Sequence, residues 1–95
     1  MTVKIILLRR VPADKQHDLY PLLVELRSLC MSRKGYISGE TLMSADDPTE
    51  NLVISTWQSI EAWNDWMASE QRQALQQKID ELLGSDTQYQ IYYHA

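Results

Sequence analysis

Trp57-Gln58-Ser59-Ile60-Glu61-Ala62-Trp63-Asn64-Asp65-Trp66-Met67-Ala68-Ser69 holds all three tryptophans of the chain. Tryptophan is costly to leave in water, and its one polar atom needs a partner. Three so close together predict a packed corner and a candidate pocket wall. The corner joins a strand to a helix. Leu52 to Trp57 alternates as a strand, with Leu52, Ile54 and Thr56 on one face and Val53, Ser55 and Trp57 on the other. Ser59 is the expected N-cap of a short helix with Ile60, Trp63 and Met67 on one stripe and Trp66 beside Trp63. Ser69 caps a second helical piece that turns Leu75, Ile79, Leu82 and Leu83 inward and ends at Gly84.

Upstream, Asp46-Asp47-Pro48-Thr49-Glu50-Asn51 reads as a turn. It joins the Leu52–Trp57 strand to a strand over Tyr36 to Ala45, giving a hairpin. Gly39 interrupts that second strand, which points to a bulge or a close approach by another group. Val3 to Arg10 is the first strand, and its middle is apolar on both faces, so both should be covered. Leu19, Leu22, Leu23, Leu26, Leu29 and Cys30 then form one stripe of an amphipathic helix. Its start is open between two caps, Asp14 and Asp18, which differ in how deep Pro21 lies. Gly35 is the expected left-handed end of that helix. Thr87 to Tyr93 is the last strand.

The order is strand, helix, strand, strand, helix pair, strand. With right-handed crossovers it gives an α+β ferredoxin-like sandwich: a single domain over residues 1–95 with a four-stranded antiparallel sheet and helices on one face. The other sheet face keeps apolar residues. A bare apolar face predicts association, most simply a homodimer through sheet faces.

Composition narrows the function classes. The 95 residues are 44% hydrophobic and 23% charged, an ordinary globular balance. A domain of this length buries only roughly two-thirds of its unfolded surface, so a second copy would add useful core. The net charge of −4 disfavours nucleic acid, which needs a basic face. Lys4, Arg9 and Arg10 are the nearest thing to a basic cluster and are expected to be solvated charges of a strand end. No run of about 18 apolar residues exists, so no membrane span is expected. No signal-peptide pattern opens the chain, and Cys30 is the single cysteine. Together these suggest a cytoplasmic protein. Cys30, on an apolar stripe, reads as a buried inert thiol.

Few residues announce chemistry by themselves. Asp46 and Asp47 are turn formers, with no third acidic partner at metal spacing. Glu61 and Asp65 suit the start of a helix and its dipole. His17 reads as a solvated surface residue, and His94 as solvated or at a dimer edge. No nucleophile–His–acid triad and no glycine-rich phosphate loop is present.

Gly35-Tyr36-Ile37-Ser38-Gly39-Glu40, Ala45-Asp46-Asp47-Pro48, Val53 through Trp63, and Trp66-Met67-Ala68-Ser69 resemble the antibiotic biosynthesis monooxygenase domain. The resemblance spans nearly the whole chain and implies the dimeric α+β barrel. It leaves activity open, because the superfamily holds cofactor-free quinone-forming monooxygenases, haem-degrading enzymes and members of unknown role. The haem-degrading branch uses a histidine on the second long helix, an asparagine on the first strand and a tryptophan in the short helix. Trp66 matches the tryptophan, but Leu75 and Leu7 stand at the other two positions, and leucine cannot ligate iron.

The cofactor-free branch fits better. It implies dioxygen chemistry on a hydrophobic phenolic or quinol-type molecule, with no metal and no other cofactor. Under that resemblance Trp66 and Asn64 are the candidate catalytic residues. Trp63, Tyr36, Tyr89 and Tyr92 are the candidate substrate contacts, although packing alone accounts for Trp57 and Trp63. The alternative is a non-catalytic dimer that binds a small apolar ligand or serves a structural role. The shortage of acid–base residues motivates it.

Overall fold

The computed structural model describes residues 1–94. Strand β1 (Val3–Arg10) leads through a single 3-10 turn (Ala13–Lys15) into helix α1 (Gln16–Met31). Strands β2 (Tyr36–Met43) and β3 (Glu50–Trp57) form the hairpin. Helices α2 (Ile60–Ala68) and α3 (Glu70–Leu83) follow, then strand β4 (Gln88–Tyr93). The sheet order is β2-β3-β1-β4, and every neighbouring pair is antiparallel. This is the ferredoxin-like α+β sandwich expected from the pattern of elements.

The register sorts the side chains. Val3 pairs with Trp57, Ile5 with Ser55 and Leu7 with Val53. That face is buried beneath α1 and α2: Leu26, Leu29 and Cys30 pack on it from α1, and Trp63 and Trp66 from α2. Val11, Leu19 and Ile79 make a second buried cluster where α1 meets α3. Trp57 is wholly buried and its Nε1–H donates to Ser55 Oγ at 3.2 Å, so the one polar atom of the ring is satisfied. Burying a large apolar side chain is worth about 2–3 kcal/mol, which makes this corner a principal source of stability. The opposite face pairs Ile6 with Ile54 and Leu8 with Leu52, and all four stay partly exposed.

Local signals set most boundaries. Ser59 Oγ accepts from Ala62 N, and Ser69 Oγ from Arg72 N. Each satisfies one of the orphan amides at a helix start. Gly84 closes α3 at φ 69°. Asp47 ties the hairpin turn by accepting from Thr49 N and Thr49 Oγ1, and Arg10 bridges it at 2.6 Å.

Two expectations need correction. Neither Asp14 nor Asp18 caps α1: the 3-10 turn runs directly into the helix, which has no side-chain cap. Pro21 lies inside α1 and forfeits one helical hydrogen bond there. Gly35 is not the cap of α1, which ends four residues earlier with Ser32 in right-handed geometry. It serves a tight turn instead, closed by Tyr36 N donating to Arg33 O, with Gly35 at φ 91°. Gly35 also lies against α2: an added Cβ would overlap that of Ala62, and Gly35 O accepts from Gln58 N at 2.7 Å. This contact seats α2, and therefore Trp63 and Trp66, beside the start of β2.

Candidate functional site

The tryptophan corner is one wall of a cavity of about 490 Å³ between α1 and the sheet. Leu7, Val53 and Ser55 form its floor, with Tyr36, Trp63 and Trp66 at one side. Leu23, Leu26 and Cys30 of α1 roof it, and Tyr20, Val24 and Met31, all exposed, mark its mouth. The volume falls within the range of small-molecule sites.

Aromatic contacts fix the wall. The Trp57 ring is edge-on to Tyr36 at 5.5 Å and to Trp63 at 5.7 Å, and is stacked on Trp66 at 6.4 Å. Arg33 holds its guanidinium 5.9 Å from the Trp66 ring centre and donates to Asp65 O. Trp66 is therefore only 4% exposed and offers the cavity little free surface. Tyr36 turns its hydroxyl toward Gly39, where an added Cβ would lie 2.8 Å from the oxygen. The bulge between Tyr36 and Ser38 and the missing Cβ of Gly39 together make room for that hydroxyl. Burial, and after it the nearby Cys30, push the Tyr36 hydroxyl above the ordinary phenol range. Burial likewise pushes the Cys30 thiol up to about 11, which makes it a poor nucleophile at neutral pH.

The structure brings together some of the residues singled out in the sequence and separates others. Trp66, Trp63 and Tyr36 line the cavity. Tyr89 packs against Trp63 at 5.9 Å behind that wall, and its oxygen accepts from Arg72. Asn64 is exposed on α2 and lies outside the cavity lining, because the helix turns Trp63 and Trp66 inward and Asn64 between them outward. Tyr92 also lies elsewhere. It shares the uncovered sheet face with its register partner Lys4, and its hydroxyl donates to Gln90. The alternation of β4 puts Tyr89 and Tyr92 on opposite faces. His17 and His94 are exposed, and neither lines the cavity.

Sequence reasoning missed the polar end of the cavity. Arg9 is no solvated strand-end charge: it is 5% exposed and lines the cavity with Arg72, which is 6% exposed, and Gln76. Lys4 and Arg10 are exposed, as expected. The missed signal was in the pattern. Arg9 continues the buried alternation Val3, Ile5, Leu7 by one step, and Arg72 and Gln76 share the α3 stripe of Leu75 and Ile79. Burial lowers the proton affinity of Arg9; Tyr89 opposes that shift and the Arg72 charge adds to it. Burial outweighs the two cations at Tyr89 and raises its hydroxyl. Among the described residues, no three His, Cys, Asp or Glu side chains converge as a metal cage. No helix there is long and apolar enough to cross a membrane.

Comparison with known proteins agrees with this architecture. The family model described as antibiotic biosynthesis monooxygenase matches residues 1–78. A conserved protein from Methanosarcina mazei Go1 superposes with a TM-score of 0.91 at 15% identity, over 100% of this chain and 94% of its own. Rv0793 from Mycobacterium tuberculosis gives 0.87 at 19% identity, over 100% and 96%. SnoaB, a cofactor-independent oxygenase from Streptomyces nogalater, gives 0.85 at 12% identity, over 98% and 92%. Among curated proteins, none matches the chain in sequence.

Proposed function

The chain belongs to the antibiotic biosynthesis monooxygenase family, and from that premise we propose that it is a cofactor-independent monooxygenase of a hydrophobic phenolic or quinol-type small molecule. The observation that carries the proposal is the cavity of about 490 Å³ walled by Trp63, Trp66 and Tyr36 and roofed by apolar residues of α1. The likeness to SnoaB in fold supports the same reaction class.

The chemistry asks little of the protein. A phenol or anthrone that loses a proton becomes electron-rich enough to pass an electron to dioxygen. The two radicals combine into a peroxide. Cleavage of its O–O bond leaves one oxygen on the ring as a new carbonyl and releases the other as water with two hydrogens from the substrate. No external reductant is consumed. The protein's share is to hold a flat ring in a dry site and to favour its anion. Trp66 and Trp63 wall the ring, and the Tyr36 hydroxyl, held protonated by its surroundings, donates a hydrogen bond to a ring oxygen. Asn64, exposed on α2, has no part in this arrangement as a single chain forms it.

The working unit is a homodimer that covers Ile6, Leu8, Leu52 and Ile54 of the open sheet face. Oxygen uptake with a panel of hydroquinones and anthrones, corrected for autoxidation, tests the activity. Uptake that falls with Tyr36→Phe while the fold is retained is the expected result. Uptake no faster than autoxidation across the panel would overturn it.

A second reading has its own observation: both histidines lie outside the cavity, so no imidazole is at hand to take the substrate proton. In that case the cavity binds and shields a ligand without turning it over. Tight binding with no oxygen uptake is its signature.

A further inference from the structure

The cavity lining holds further polar residues in Arg27, Ser28, Glu40 and Thr41, but all four are exposed, and the cations at its other end are not. Arg9 and Arg72 are both more than nine-tenths buried. Among the described residues, neither has a carboxylate within 4.0 Å; the recorded ion pairs are those of Arg10 with Asp47 and Glu50. Arg72 donates to the Tyr89 oxygen, a neutral acceptor. Arg9 Nε, fully buried, has no partner. Gln76 Nε2 is occupied by Asp80 Oδ1 and Thr87 Oγ1, both at 2.8 Å, while its Oε1 is buried with no partner. Asp80 acts on Arg9 only through space, and weakly beside the desolvation.

Two guanidinium groups in a poorly solvated place repel each other. Arginine does not escape by losing its proton. Burying a charge without a counter-charge costs several kcal/mol, so such pairs persist where something else requires them. An anion on the cavity side of Arg9 and Arg72 meets that requirement. A planar oxyanion suits a guanidinium, which donates in a fixed fork.

We infer that the cavity is built for an aromatic acid, with the ring between Tyr36, Trp63 and the α1 residues and the oxyanion, a carboxylate or an ionised phenol, against Arg9 and Arg72. Gln76 Oε1 accepts from a hydroxyl neighbouring that oxyanion. The inference rests on the reading of this cavity as the ligand site and adds the charge of the ligand to it. Arg9 and Arg72 have the same role whether the bound acid is oxidised or only held.

Equilibrium dialysis without turnover tests it, using 2-naphthoate, 2-naphthol and the neutral isostere 2-naphthamide. Charge-assisted hydrogen bonds are worth enough to favour naphthoate over naphthamide by about tenfold or more. Arg9→Gln should cut that preference several-fold, since Arg72 remains, and Arg9→Lys should keep more of it. A naphtholate absorbance spectrum at neutral pH would assign the ionised phenol; a preference for naphthoate alone would assign the carboxylate. Arg9→Gln should also leave the melting temperature of the unliganded protein unchanged or higher, whereas a merely structural arginine would lower it. Naphthamide bound as tightly as both acids would overturn the inference and leave the cavity standing. No binding of any of the three would overturn both. Should Arg9→Gln fail to fold, the preference of the unaltered protein decides.

Discussion

Gly35→Ala is the most searching test of how the fold positions the site. The residue has φ 91°, and a Cβ there would come closer than 3.0 Å to Ala62 Cβ. The backbone term alone is about 1–2 kcal/mol for an L-residue in left-handed geometry. Carbon atoms pack at about 3.5–4.0 Å, so the turn and α2 must part by at least about 0.5 Å. Overpacking of that kind costs about 1–3 kcal/mol. The sum is about 2–5 kcal/mol, out of the roughly 5–15 kcal/mol that holds a domain of this size. Urea denaturation should show a lower midpoint at an unchanged slope, and the melting temperature should fall by roughly 10–30 °C. The two terms can be separated with Ala62→Gly, which itself costs about 1 kcal/mol in a helix. In that background the steric term vanishes and only the backbone term of about 1–2 kcal/mol should remain. A destabilisation by Gly35→Ala below about 1 kcal/mol would refute the argument. So would an equal cost in both backgrounds.

Gly39→Ala places its methyl 2.8 Å from the Tyr36 oxygen and should displace that hydroxyl. Ligand affinity should drop in dialysis, and Tyr36→Phe, which removes the oxygen, should relieve the clash and restore folding stability. Cys30, with its thiol raised from 9.0 to about 11, should react with a disulfide reagent at pH 8 about a hundredfold more slowly than in urea. Below the unfolded value of 9.0 both states hold the proton; as pH rises from there toward about 11 only the unfolded thiol loses it, so stability declines over that window. Ser59→Ala removes the Oγ that accepts from Ala62 N and should cost about 1 kcal/mol by denaturation. Ile54→Asp sets a charge on the open sheet face and should shift the mass measured by light scattering from dimer to monomer at micromolar concentration. A wild-type monomer would remove the dimer from the proposed function.

The parts of the site that were legible in the sequence are those set by nearby residues. The Trp63 and Trp66 wall follows from one helical stripe and its Ser59 cap. The close approach at Gly39 follows from a glycine inside a strand. Residues chosen by chemical type alone fared differently. Asn64 and Tyr92 carry suitable groups, but the helix turn and the strand alternation direct them away from the cavity. Arg9 carries the wrong group for a buried position, and its charge hid the alternation it completes.

The sequence by itself determined the order of elements, most of their ends and the one-sided helix layer. Hydrophobic periodicity, Ser59 and Ser69 as caps, and Gly84 as a terminator act over a few residues, and their energies do not depend on what lies across the sheet. Only the tertiary structure decided that Arg9 and Arg72, 63 positions apart in the chain, line the same cavity. It also decided that Gly35 serves contact with Ala62 rather than a helix end. Both are matters of which surfaces meet. Desolvation and steric overlap arise only once distant segments are packed together, so no window of sequence contains them.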